Sequence, residues 1–202
     1  MALDAAESLT SCLFEMATAE TNPVLQVIDI NNPIEENKKY PPELLQFNHS
    51  GWRAYYHCHP ASRAGNHRFQ GEHGHFHIFV RIQKEPEIWS HIVALAMDNM
   101  GQPLGWFTVN HWVTGQSWSK ADDLVRSLSK IPYQKQNTLL ERWLLSLLHL
   151  SHEKVTTILY ERDKVIEIKQ NNSEGKNIKQ DRELYLLTEI AMNIKELLEI
   201  KR

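Results

Sequence analysis

Two periods divide the chain. Up to residue 20, and again from residue 119 onward, apolar residues recur every three to four positions, whereas between residues 52 and 113 they recur every second one. At the N-terminus Leu9, Cys12, Leu13 and Met16 share one helical face behind Asp4 and Glu7, which are spaced as a capping box, so the pattern predicts an amphipathic helix over residues 4–20. Asn-Pro, Asn-Asn-Pro and Pro-Pro breakers then surround a short apolar run, Val24 to Ile30, that reads as an edge strand within connecting structure.

The middle of the chain alternates. Over residues 53–59, Ala54, Tyr56 and Cys58 oppose Tyr55, His57 and His59; over residues 72–81, Gly74, Phe76, Ile78 and Val80 oppose His73, His75, His77 and Phe79. Residues 91–98 and 104–113 are two further strand-like runs, joined by Asp98-Asn99-Met100-Gly101, where the glycine can take a positive φ. Four antiparallel strands are expected over residues 53–113, with the apolar set facing the core.

Helical spacing returns at Ser119, which caps a run carrying Ala121, Leu124, Val125 and Leu128. Leu139, Leu140, Trp143, Leu144, Leu147 and Leu148 make a broad apolar stripe of the kind that packs a helix on the back of a sheet. Val155, Ile158, Leu159 and Val165, and then Leu184, Leu187, Ile190, Ile194 and Leu197, read as a helical hairpin broken by Asn171-Asn172-Ser173-Glu174-Gly175. The last stripe is close to a narrow coiled-coil seam, which packs either on its own domain or on a second copy in a homo-oligomer. The fold class is therefore α+β: a sheet of about four antiparallel strands on N- and C-terminal helices. Residues 1–168 form the single domain, and residues 169–202 are a polar loop and a C-terminal helix, appended to it or packed on it.

Composition narrows the function. Of the 202 residues, 42% are hydrophobic and 23% charged, which suits a chain that buries a core. Net charge is −3 and no lysine- or arginine-rich stretch offers the basic footprint of a nucleic-acid binder. Cys12 and Cys58 are the only cysteines, too few for a disulfide framework or a CxxC metal knuckle. The acidic start and the absence of a long apolar run speak against a signal peptide and against a membrane partner, so a cytoplasmic location is expected.

Histidine changes the picture most. Nine of the eleven fall between residues 49 and 111. Residues two apart on a strand share a face, so His57 with His59, and His73 with His75 and His77, form two rows; if the strands pair, the rows converge. Neutral imidazole is the commonest transition-metal ligand, and these five are a ligand pool for a divalent ion, Zn or Fe first. Glu72 has the wrong parity for the row unless a bulge near Gly71 or Gly74 turns it inward, where it would serve as a ligand or as a catalytic acid or base. Metal bound by imidazoles should be released between neutrality and mild acidity. On the fourth strand Asn110 and Trp112, with Thr114 and Trp118 nearby, are candidates to orient and wall a small-molecule ligand. Structural or surface roles for the histidines, and core filling for the indoles, are the competing explanations.

The string His73-Gly74-His75-Phe76-His77 also resembles the histidine-triad motif of nucleotide hydrolases and transferases, which implies His75 as the nucleophile. A wider resemblance comes from three segments in order: Tyr55-Tyr56-His57-Cys58-His59, Gly71-Glu72-His73-Gly74-His75-Phe76-His77, and Thr108-Val109-Asn110-His111-Trp112-Val113-Thr114-Gly115. Together they resemble an uncharacterised bacterial family, a domain of unknown function with YYHAH-, GEHGHFH- and TNRWVTGE-like motifs, over approximately residues 40–165. The resemblance implies no reaction. Three functions stay open: a metal-binding protein, extending to a metal-dependent enzyme; a histidine-triad-like phosphoryl-transfer enzyme; and a non-enzymatic module that binds a ligand or a protein.

Overall fold

The computed structural model describes residues 2–28, 35, 38–47, 51–58, 69–131 and 138–199. It is α+β, built on an antiparallel sheet of six strands that follow one another in sequence order: β1 (Tyr40–Gln46), β2 (Trp52–Cys58), β3 (Glu72–Gln83), β4 (Ile88–Asp98), β5 (Pro103–Val109) and β6 (Leu186–Ala191). The four expected strands are β2 to β5. The two additional ones lie on the edges, and the sequence pattern disguises both.

β1 begins Tyr-Pro-Pro, which reads as a breaker, yet an edge strand tolerates proline because one of its sides needs no ladder hydrogen bonds. β6 falls inside the expected C-terminal helix. There Trp106 pairs with Ile190 and Phe107 with Glu189, and Thr108 and Thr188 join hydroxyls at 2.6 Å. The open edge of β5 outcompetes the helical preference of the segment, leaving only a short helix, α6 (Ile194–Glu199), of the expected hairpin arm. The expected edge strand at Val24 to Ile30 is a run of turns through Ile28, its last residues lying outside the described ones. The fourth strand stops at Val109, and His111–Thr114 form a one-turn helix, α2, capped by the Asn110 side chain at His111 N.

The other helices are α1 (Ala2–Thr18), α3 (Ala121–Leu128), α4 (Leu139–Leu150) and α5 (His152–Asn171). Asp4 lies within α1 rather than capping it, and α3 begins after Lys120, one residue later than the Ser119 cap expected. α4 starts with a capping box: Glu141 N donates to Thr138 Oγ1 and Thr138 N donates to Glu141 Oε2. Its stripe packs on the back of the sheet, with the Trp143 ring 6.5 Å from that of Phe76. α1 lies along α4, tied by a two-pronged bond from Arg142 to Glu15.

The main core lies between these helices and the face carrying Ala54, Tyr56, Phe76, Ile78, Val93 and Leu95, all at most 1% exposed. A smaller apolar cluster, Ala94, Ala96, Phe107 and Val109, occupies the opposite face, with Phe69 and Leu186 against it. His57, His75 and His77 stand on that second face.

Candidate functional site

β2 and β3 pair in the register that superposes the two histidine rows. His57 stands opposite His75, and Tyr55 opposite His77. Across β3 on its other side, His75 faces Ala96 and His77 faces Ala94, and these two small residues leave room for the imidazoles. The ring centres are 4.7 Å apart for His75 and His77, 5.2 Å for His57 and His75, and 6.2 Å for His57 and His77. His75 and His77 are 1% and 3% exposed, while His57 is half-buried at the open side.

Two irregularities in β3 and β4 decide what else joins the cluster. The register slips between Glu72 and Gly74, and the bulge carries Glu72 onto the imidazole face, where Oε1 lies 2.9 Å from His75 Nδ1. A carboxylate can only accept, so His75 carries its hydrogen on Nδ1 and its lone pair on Nε2. The same bulge takes His73 off the row. Its Nδ1 meets the Tyr56 hydroxyl at 2.7 Å on the helix-covered side, and a Cβ on Gly74 would collide with that hydroxyl. The expected row of three is therefore a pair, His75 and His77, and the histidine-triad alternation is not a row on one face. His59 lies outside the described residues.

The second slip, between Ile78 and Phe79, sets His91 of β4 beside His77, with His77 Nδ1 3.0 Å from His91 Nε2. Burial, reinforced by the Arg162 charge, pushes the His91 pKa down to about 3, so this ring is neutral and its Nε2 can accept a hydrogen bond from His77 Nδ1. Burial likewise raises the Tyr55 phenol to about 12, keeping it neutral beside His77. Phe107 closes the far side, its ring 5.2 Å from His75, and Phe69 packs so tightly on Gly105 that a Cβ there would overlap its ring.

The other candidates stand off the imidazole pair, where Asn110, Thr114 and Trp118 line a small cleft beside His91. Asn110 is completely buried: Nδ2 donates to the carbonyls of Ile178 and Leu184, and Oδ1 accepts from His111 N. Trp112 donates to the Leu184 carbonyl and lies under Arg182. Both pin the end of β5 to the segment before β6. The participant that pattern reading missed is His91. It sat in an expected strand, but only the bulge aims it at His77, and a bulge of this kind leaves no trace in hydrophobic alternation. Among the described residues, no three His, Cys, Asp or Glu side chains are placed to hold a metal ion as they stand.

A family model matches residues 3–192, nearly the whole chain and well beyond the segment that the motifs span. The chain belongs to DUF6969, a domain of unknown function. No curated protein and no solved structure matches it. Among the described residues, no helix of this DUF6969 member is long and apolar enough to cross a membrane.

Proposed function

We propose that the imidazole face binds a divalent transition metal, Zn or Fe first, through His57, His75 and His77, with Glu72 and His91 holding two of those ligands in place. The observation that carries this reading is the treatment of Nδ1 on the two neighbouring rings: His75 gives it to Glu72 and His77 shares it with His91. Histidines that ligate metals almost always donate their second ring nitrogen to a carboxylate or another acceptor, which fixes the tautomer and raises the basicity of the ligating nitrogen. With His91 as the acceptor, Nε2 is the nitrogen left to ligate on both rings.

The spacing agrees. A tetrahedral ion with metal–nitrogen bonds of about 2.0–2.1 Å sets the centres of its imidazoles about 5 Å apart, and the three observed separations of 4.7, 5.2 and 6.2 Å bracket that value. Closing the site requires His57, the most exposed of the three, to rotate toward the pair. In this arrangement Glu72 is a positioning residue. A metal-free acid–base pair of Glu72 and His75 is the second reading, favoured by the same 2.9 Å hydrogen bond.

Elemental analysis of untagged protein purified without chelator separates the two. A stoichiometric transition metal in the parent, lost in the His57→Ala/His75→Ala double variant, supports the metal site. A metal-free parent that takes up neither Zn²⁺ nor Fe²⁺ on titration sinks it and leaves the acid–base pair.

A further inference from the structure

Next to the imidazoles, a small cleft opens between β4, the segment that follows α2, and α5. His91, Ser90, Gln116, Ser117 and Trp118 line it, and Arg162 reaches it from α5. The Arg162 side chain is only 3% exposed. Its Nε and Nη2 both donate to Asp163 Oδ1, and Nη2 also donates to the Ser119 carbonyl. The guanidinium plane lies on Trp118, 4.2 Å from the ring centre. One edge and one face of the group are thus fixed, and Nη1, which bears two of its five N–H donors, has no hydrogen-bond partner among the described residues.

A guanidinium nitrogen of a buried, rigidly held side chain, left over beside a cleft, is a preformed donor for an anion. The surroundings favour a particular one. The cavity proper holds about one water, a space that a slim, planar carboxylate oxygen fills with less crowding at the rim than a bulkier tetrahedral phosphate. Asp163 offsets the Arg162 charge, and the second cation over Trp118, Lys179 at 4.9 Å, leaves the locale positive enough for a monoanion.

We infer that this cleft seats the carboxylate of a small-molecule ligand on Arg162 Nη1, so that the rest of the molecule extends past His91 toward the imidazole face. The assignment of that molecule as the substrate or ligand of the metal rests on the proposed function; the binding of the carboxylate does not.

The test uses ¹⁵N-labelled, metal-free full-length protein titrated with sodium acetate, and with sodium chloride and sodium phosphate at matched ionic strength. The readouts are the Trp118 indole and His91 ring resonances. Acetate is expected to give a saturable shift that the other two salts do not reproduce. Arg162→Lys, which keeps the charge and loses Nη1, should weaken acetate by about tenfold or more, the usual cost of losing a charged hydrogen bond. Because Arg162 also ties α5 to Ser119, a second variant is needed: Ser117→Phe, at an exposed position of the rim, should block acetate equally while leaving the far-ultraviolet circular dichroism unchanged. An equal response to chloride, no saturable response, or an undiminished response in Ser117→Phe overturns the inference. Acetate binding in a protein that takes up no Zn²⁺ upholds the cleft and removes the metal, whereas Zn²⁺ uptake without an acetate response does the reverse.

Discussion

Phe76 and His77 are neighbours on β3 and almost equally withdrawn from solvent, at 0% and 3% exposure, yet they are buried by different means. Phe76 points to the side covered by α4, where it packs on the Tyr56 and Trp143 rings and makes no hydrogen bond of its own, so shape decides the fit. His77 points to the other side, where polar rings are buried against one another and each ring nitrogen needs a partner, because an unsatisfied buried donor costs about 1–3 kcal/mol. The first face could be rebuilt from other apolar residues of the same volume. The second could not, since its hydrogen bonds run through particular atoms. A fold gains little stability from such an arrangement that leucines would not supply as well, and the contrast is the reason for placing chemistry on the second face.

The largest expected effect comes from breaking the first face. Trp143 is fully buried beneath the sheet and its indole N–H has no partner among the described residues, so its contribution is packing. Trp143→Ala should lower the unfolding free energy by about 3–5 kcal/mol, read by urea denaturation, while the molecules that remain folded keep their metal stoichiometry. Metal lost in proportion to folded protein would mean that the two faces are not separable.

A smaller and more selective effect should follow from Glu72→Gln. The amide keeps the volume of the carboxylate but can meet His75 Nδ1 as a donor, and it carries no charge to hold that tautomer. Removal of such a support typically weakens metal binding by about 10–100-fold, which competition with a chromophoric chelator measures. Unfolding in the absence of metal should change far less. Equal Zn²⁺ affinity in parent and variant would argue that Glu72 does not position a ligand.

The two faces were also unequally legible in the sequence. Alternation located β2 to β5, and the Leu139 to Leu148 stripe located the helix behind them, because apolar burial repeats with the geometry of the element. The convergence of His57 on His75 and His77 follows from the same parity once β2 pairs with β3. Parity fails wherever a residue is inserted. The slip at Glu72 to Gly74 exchanges the places of Glu72 and His73, and the slip at Ile78 to Phe79 brings in His91. The first was legible only as an option that Gly71 and Gly74 leave open, Gly74 having no Cβ to block Tyr56, whereas the second leaves no mark in the hydrophobic pattern. β6 was hidden for a different reason, since its strand state is imposed by the edge of β5 and not by its own residues.

The exchange of Glu72 for His73 supplies the finest test, because the two residues are adjacent and the sequence alone would rank the histidine as the better ligand. In the structure His73 accepts from or donates to the Tyr56 hydroxyl on the helix side of the sheet, and burial raises the Tyr56 pKa so that the phenol stays protonated. His73→Phe removes that bond and leaves the Tyr56 hydroxyl to find another partner, a loss of about 1 kcal/mol in urea unfolding. It should leave Zn²⁺ affinity where it was, since the ring lies across the sheet from His75. If His73→Phe instead costs as much affinity as Glu72→Gln, the bulge does not hold in solution, the row of three alternating histidines is restored, and the division of labour between the two faces has to be redrawn around it.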